Sequence, residues 1–380
     1  MNVFAVGFSA FLATTLIVGP SSAVAFAANT LPPDSDEAPP APAGGEIEPR
    51  HLPLIRQVTS EDEYVKAGEG YFSPDGSAIV YQAVPHGYPF YQIYLQPLAD
   101  SPGADHGQAV RISTGRGRTT CSFFSPIDEQ RIIFASSHLD PNIAQTEADA
   151  IRQQEEDRRS GRRRRYNWVF DSHMDIFEAT RDGKIARRLT ETPGYDAECA
   201  YSPDGKQIVF CSDRDGDPDL YIMNADGSDV RQLTDATGYD GGPFFSPDGA
   251  WIVFRSDRKK EAYLQIHVIR VDGKHDDALT DTVGVNWAPY WHPTEPYIIW
   301  TGADHSKPGR PNYDLWLMPY EIDGETFRGG EVRRITDHPA ADVLPVFSPD
   351  GKRLMWTSTR SANGTSQLFI SDFRLPKVAQ

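Results

Sequence analysis

Residues 201–210 read YSPDGKQIVF, and close relatives of that string recur as YFSPDGSAIV (71–80), FFSPDGAWIV (244–253) and VFSPDGKRLM (346–355). Pro presets φ and Asp-Gly supplies a tight reversal, so each phrase reads as the end of one strand, a turn and the start of the next. Two degenerate copies, SPID at 125–128 and HPTE at 292–295, bring the count to six. A second marker travels with the first. An aliphatic residue followed by Thr or Ser closes a short strand at Thr59, Ser113, Thr190, Thr234, Thr280 and Thr336. From five of these hydroxyls the turn phrase starts twelve residues on, and from Thr59 fourteen. Two markers in fixed phase identify a repeat.

Each unit contains four short strands. Strand A runs into the turn phrase. Strand B follows with β-branched and aromatic residues, as in Gln207-Ile208-Val209-Phe210. Strand C alternates, as in Asp219-Leu220-Tyr221-Ile222-Met223, and an Asn224-Ala225-Asp226-Gly227 turn leads to strand D, which ends at Leu233-Thr234. Outside the second unit, which carries an insertion, the units span 44 to 56 residues. Such units are blades of a β-propeller rather than turns of a helical solenoid. The chain starts with a lone strand D (54–59) and ends after a lone strand C (367–370), so the last blade is assembled from both ends. The expectation is an all-β, six-bladed propeller over residues 51–375, in which each sheet buries its faces against two neighbours.

The series FSPDG…IVF…DLYIMNADG…RQLT resembles the TolB-like, WD40-like (PD40) propeller repeat family over roughly residues 52–373. The resemblance implies the propeller fold, and its motifs specify no reaction. The member that gives the family its name carries an α/β domain ahead of the propeller that contacts partners of the Tol envelope machinery. In this sequence residues 28–50 stand in that position.

Ahead of the repeats, residues 3–19 are apolar, and small residues follow at Ala23-Val24-Ala25 and Ala25-Phe26-Ala27. Residues 1–27 therefore read as a signal peptide, although no Lys or Arg precedes the apolar run; a retained N-terminal anchor is the alternative. Residues 28–50 are rich in Pro and Ala and acidic, which reads as a disordered linker. The expected location is periplasmic or secreted, with no membrane span after cleavage. A formal charge of −17 opposes a general nucleic-acid binder. The cysteine count of three leaves at least one thiol unpaired, with Cys199 and Cys211 flanking one turn as the candidate bridge.

Antiparallel order puts the turn phrases and Ala-Asp-Gly turns on one face, and the D–A loops and B–C hairpins on the other. The second face varies between units and is the expected binding face. Six residues before each turn phrase stand Ala67, Thr119, Asp196, Asp240, Asn286 and Asp342; four before it stand Glu69, Cys121, Glu198, Gly242, Ala288 and Leu344. Tyr195, Tyr239 and Trp287 lie beside them. The candidate funnel is thus Glu69, Tyr195, Asp196, Glu198, Tyr239, Asp240, Asn286, Trp287 and Asp342. The B–C hairpins add His86, His138, Arg214, Arg258, His305 and Arg360 on the same face. These rings read either as a polarised funnel for a zwitterionic or peptide-like ligand, or as ion pairs between neighbouring blades.

The insertion, at about 138–174, contains a short helix around 146–156, an Arg-rich run at 158–165, and Tyr166 and Trp168. It emerges on the binding face as a rim for an anionic partner or as a solvated loop. The alternating acids from Asp213 to Asp219 resemble a calcium loop, but Gly216 is misplaced for one and no Glu closes it. A solvated turn is expected there, and neither a metal nor another cofactor is assigned.

No G-x-S-x-G elbow and no H-E-x-x-H occurs. The resemblance extends to oligouronide lyases that gather His ligands for a metal from several blades, and His138, His173, His292 and His305 are the residues such a reading takes. The reading adopted is a non-catalytic exported scaffold recognising protein or peptide in the cell envelope. The alternative is a propeller acting on or binding anionic polysaccharide.

Overall fold

The computed structural model describes residues 45–99, 106–161, 170–306 and 311–376. The chain forms an all-β, propeller-like arrangement of small antiparallel sheets. The first sheet takes Tyr64–Phe72, Ala78–Pro85, Gln92–Pro97 and Val110–Arg111 as strands A to D. Two meanders follow, Thr119–Phe124 to Ile185–Arg188 and Gly194–Tyr201 to Arg231–Gln232. A short parallel pairing of Tyr195 with Met174 joins them into one eight-stranded sheet. Asp240–Phe245 and Gly284–Trp291 begin the next two sheets. In the last sheet, Asp342–Phe347, Arg353–Ser358 and Gln367–Asp372 are completed by Arg56–Gln57 from the start of the chain. That pairing sets Arg56 opposite Ile370 and Gln57 opposite Phe369. Each strand A packs on the neighbouring sheet in sequence, and Tyr64–Phe72 packs on Arg353–Ser358, so the first sheet meets the last.

Both sequence markers have a local cause. In the four full turn phrases the Ser hydroxyl donates to the Asp carboxylate two residues on, while the amide five residues on donates to that hydroxyl at 2.9 Å. These bonds hold the Asp75 and Asp204 carboxyls down at about 2. The hydroxyl ending each strand D accepts an amide near the start of strand C, at 2.8 to 3.0 Å, in all six units. One hydroxyl therefore satisfies a buried N–H at the sheet's outer edge, where an apolar side chain would orphan it.

Several expectations change. Strand D of the first-and-last sheet is shorter than residues 54–59, and the fifth unit contains an extra hairpin, Asp314–Asp323 with Thr326–Gly329. Within residues 45–50, expected to lie in a disordered linker, Ile47 and Glu48 are anchored to the sheets. A short helix, Glu48–His51, has its first amides bonded to Asp337, and Glu48 is buried against Arg360 at 2.7 Å. An acid-rich tail thus ends in one acid that finds a cation. The three thiols are buried and unbridged. Cys211 lies opposite Ala197, whereas Cys199 sits in a bulge and packs in a different apolar cluster, so the two side chains face apart. Residues 1–44, which hold the expected signal peptide and most of the expected linker, lie outside the described residues.

Candidate functional site at the propeller axis

Every strand A carries a bulge at one place. The register shifts in all six, and Glu69, Cys121, Glu198, Gly242, Ala288 and Leu344 all take φ between 47° and 60°. A bulge re-aims the side chain that follows it. Two residues later, Tyr71, Phe123, Phe244 and Tyr290 meet ring to ring at centroid distances of 5.0 to 6.3 Å. These rings come from the first, second, fourth and fifth units, and strands from non-adjacent units can touch only at the axis. They form an aromatic plug on the side of the turn phrases. The bulge residues form the next layer toward the D–A loops.

The floor above the plug is polar. Glu198 accepts hydrogen bonds from the Tyr239 hydroxyl at 2.7 Å, the Tyr195 hydroxyl at 3.2 Å, the Gly242 amide at 2.6 Å and Arg255 at 2.9 Å. Gly242 has φ +60°, and a Cβ there would stand 2.6 Å from an Arg255 guanidinium nitrogen, so glycine lets that guanidinium cross the layer. Glu69 accepts from the Tyr71 hydroxyl at 3.3 Å and faces the Cys121 thiol. Burial pushes the Glu69 carboxyl up to about 7, with Glu198 adding to the rise. Burial also raises the Cys121 thiol, which leaves it an uncharged neighbour. Around the mouth stand half-buried Tyr91, Phe170, Trp287 and Leu344. Phe170 packs edge-on to Tyr195, and Arg255 stands 5.9 Å from the Trp287 ring centre.

The acids six residues before the turn phrases are placed differently from the funnel reading. Asp196, Asp240 and Asp342 are at most 1 % exposed and bond Arg214, Arg258 and Arg360 at 2.9, 2.5 and 2.6 Å. Each pair lies within one sheet, not between neighbours, because the Arg also bonds the Ser ending strand B two residues before it. In the last sheet Trp356 Nε1 satisfies the remaining Asp342 oxygen, and Trp300 does the same for Asn286. Phe210 and Phe254 occupy the equivalent places, and one oxygen each of Asp196 and Asp240 is buried without a partner. Tyr195 and Tyr239 are buried donors to Glu198 rather than flat walls; Trp287 remains at the mouth.

The four histidines are not brought together. His138 bonds Ser136, His173 is exposed near Asp140 and Asp171, and His305 stands by Tyr263. His292 lies in a turn phrase on the opposite face, where Nδ1 accepts the Glu295 amide in place of a Ser hydroxyl. Among the described residues, Asp215, Asp219 and Asp235 bring carboxylate oxygens within 4.8 Å of one another, Asp235 arriving from the end of strand D.

The insertion forms a helix over Ile143–Ser160, longer than expected and with no buried residue. Glu147 anchors it to the D–A/B–C face through Tyr88, Arg116 and the Gly117 amide at 2.7 to 3.1 Å. Tyr166, Trp168 and the Arg run from 162 lie outside the described residues. Sequence reasoning missed Arg255, Tyr71 and Tyr91. Arg255 had a signal: the equivalent places on strand B in the other units hold Gln82, Ala135, Cys211, Thr301 and Thr357, none of them charged.

These sheets around a plugged axis define a propeller-type scaffold. Residues 168–234 and 215–309 match the TolB beta propeller domain family. Over 38 residues the chain is 47 % identical to the Tol-Pal system protein TolB of Bordetella pertussis, and equally so to that of Bordetella parapertussis; the match spans 10 % of this chain and 9 % of those relatives. The solved structure of a putative TolB from Agrobacterium tumefaciens superimposes with a TM-score of 0.51 at 22 % identity, covering 81 % of this chain and 91 % of that one. TolB from Acinetobacter baumannii gives 0.51 at 17 %, covering 80 % and 63 %. Within residues 168–309 the chain is thus similar to the TolB beta propeller domain family. Among the described residues no helix is long and apolar enough to cross a membrane.

Proposed function

We propose that the chain is an exported six-bladed propeller that binds protein or peptide in the cell envelope on its D–A/B–C face. The observation that carries this is the set of half-buried Tyr91, Phe170, Trp287 and Leu344 on the D–A/B–C side of the polar layer, with the Tyr71, Phe123, Phe244 and Tyr290 rings packed together on its other side. A polar floor inside a partly apolar mouth suits a side chain or chain terminus inserted from a partner. The six sequence units and the pairing of residues 56–57 with 369–370 support the blade count and its closure. Residues 1–27 as an export signal and 28–44 as a tether complete the reading.

The test compares retention of envelope polypeptides by the mature chain carrying Leu344→Asp, Trp287→Ala or, on the opposite face, Lys352→Asp. Retention is expected to fall with the two mouth changes and persist with the third. Loss with Lys352→Asp alone overturns the choice of face.

A further inference from the structure

We infer that the floor of the funnel receives one cationic group of the ligand, an amine or a guanidinium, against the Glu69 carboxylate. This rests on the reading of the D–A/B–C face as the binding face, and it names what that face recognises.

Charge at the floor is not balanced within the fold. The floor gathers two carboxylates, Glu69 and Glu198, and one guanidinium, Arg255. Arg255 is committed to Glu198 and to the Tyr239 hydroxyl, at 2.9 and 2.6 Å. Two tyrosine hydroxyls and a backbone amide complete the shell of Glu198. Glu69 has the Tyr71 hydroxyl and the Cys121 thiol, neither of them charged, and among the described residues it makes no salt bridge. With both acids ionised, the layer holds one uncompensated negative charge. A buried carboxylate without a charged partner takes up a proton unless a cation reaches it.

Place and access agree with this. Glu69 sits at the axis between the plug and the mouth, and at 9 % exposure it is the most accessible of the buried floor residues. The Tyr71 and Tyr91 rings stand beside it and favour a cation over a neutral group. Lys66, whose ammonium stands 4.7 Å from the centre of the Tyr91 ring, shows a cation taking this kind of seat at the mouth. The groups that face Glu69 are Tyr71 on its own strand, Cys121, Glu198 and Arg255 from three other units, and Tyr91. The carboxyl titrates near 7 in the free protein, so a cation is held more tightly as pH rises through that value.

The experiment measures binding of acetyl-Gly-Arg-Gly-amide, its Lys counterpart and its neutral citrulline counterpart to the mature chain by calorimetry at pH 8. At least one charged peptide is expected to bind ten times or more tightly than the citrulline peptide, and the arm that does so names the cation. Glu69→Gln abolishes that preference, whereas Glu69→Asp keeps it, which separates charge from folding. Equal binding of charged and neutral peptides, a preference that survives Glu69→Gln, or no binding of any peptide at millimolar concentration overturns the inference. If envelope retention fails with Leu344→Asp yet is unchanged in Glu69→Gln, the binding face stands and the cation seat does not.

Discussion

Replacing Glu69 by Gln is expected to stabilise the protein at pH 8 and to change its stability by less than about 1 kcal/mol at pH 5. Gln is nearly isosteric with the protonated carboxyl, so the substitution removes only the cost of ionising a buried group. The carboxyl lies at about 7 in the folded protein against an ordinary 4.5. At roughly 1.4 kcal/mol per unit, that difference amounts to about 3 kcal/mol. The sign follows from proton binding. Between 4.5 and 7 the folded state holds the proton more tightly than the unfolded one, so this contribution is intact below 4.5 and is lost as pH rises through 7. Thermal unfolding of wild type and Glu69→Gln at the two pH values isolates the term, because Asp219 and Asp314, also raised by burial to about 7 and about 6, are common to both proteins. A gain of several degrees at pH 8 is expected for a domain of this size. A difference equal at both pH values, or a wild type more stable at pH 8, means that Glu69 already has a cationic partner within the fold and refutes the charge balance at the floor.

Other consequences are open to direct measurement. Arg360→Met leaves Asp342 and Glu48 buried without their cation and is expected to cost about 3–5 kcal/mol in urea unfolding. Adding Asp342→Asn should recover part of that loss. Thr234→Val removes the acceptor of the Leu220 amide and the donor to Asp219, costing about 1–3 kcal/mol. The three buried thiols should resist a thiol reagent in the folded protein and react together once it is unfolded, with or without prior reduction. Glu147→Ala should change global stability by less than about 1 kcal/mol yet speed hydrogen exchange along Ile143–Ser160, since that one carboxylate supplies the helix's main anchor.

The fold was legible because its markers are made locally. A Ser-Pro-Asp-Gly turn is held by its own hydroxyl and carboxylate, and the hydroxyl closing strand D satisfies an amide of the strand beside it. Such contacts repeat wherever the sequence repeats. The latch was legible for the same reason, as an outer strand without its sheet at one end of the chain and a sheet without its outer strand at the other. The site was harder to read. Asp196 and Asp240 look available in sequence, but a Ser and an Arg sixteen and eighteen residues on fold back and enclose them. Glu69 and Glu198 stand in one sequence column, but Arg255, the Gly242 amide and the Tyr239 hydroxyl, all from another unit, reach Glu198 alone. A contact made across the axis has no counterpart in the repeat, so the period that reveals the fold hides the floor. Glu48 is a related case, since its partner lies 312 residues away.

The orientation of binding is tested most directly by placing a photoreactive side chain at Leu344, in the mouth, and separately at Lys352, beside a turn phrase, and exposing both proteins to light in intact envelopes. The account predicts a discrete polypeptide adduct from position 344, suppressed by whichever charged tripeptide fits the floor, and none from position 352. An adduct from position 352 with none from 344 would contradict it.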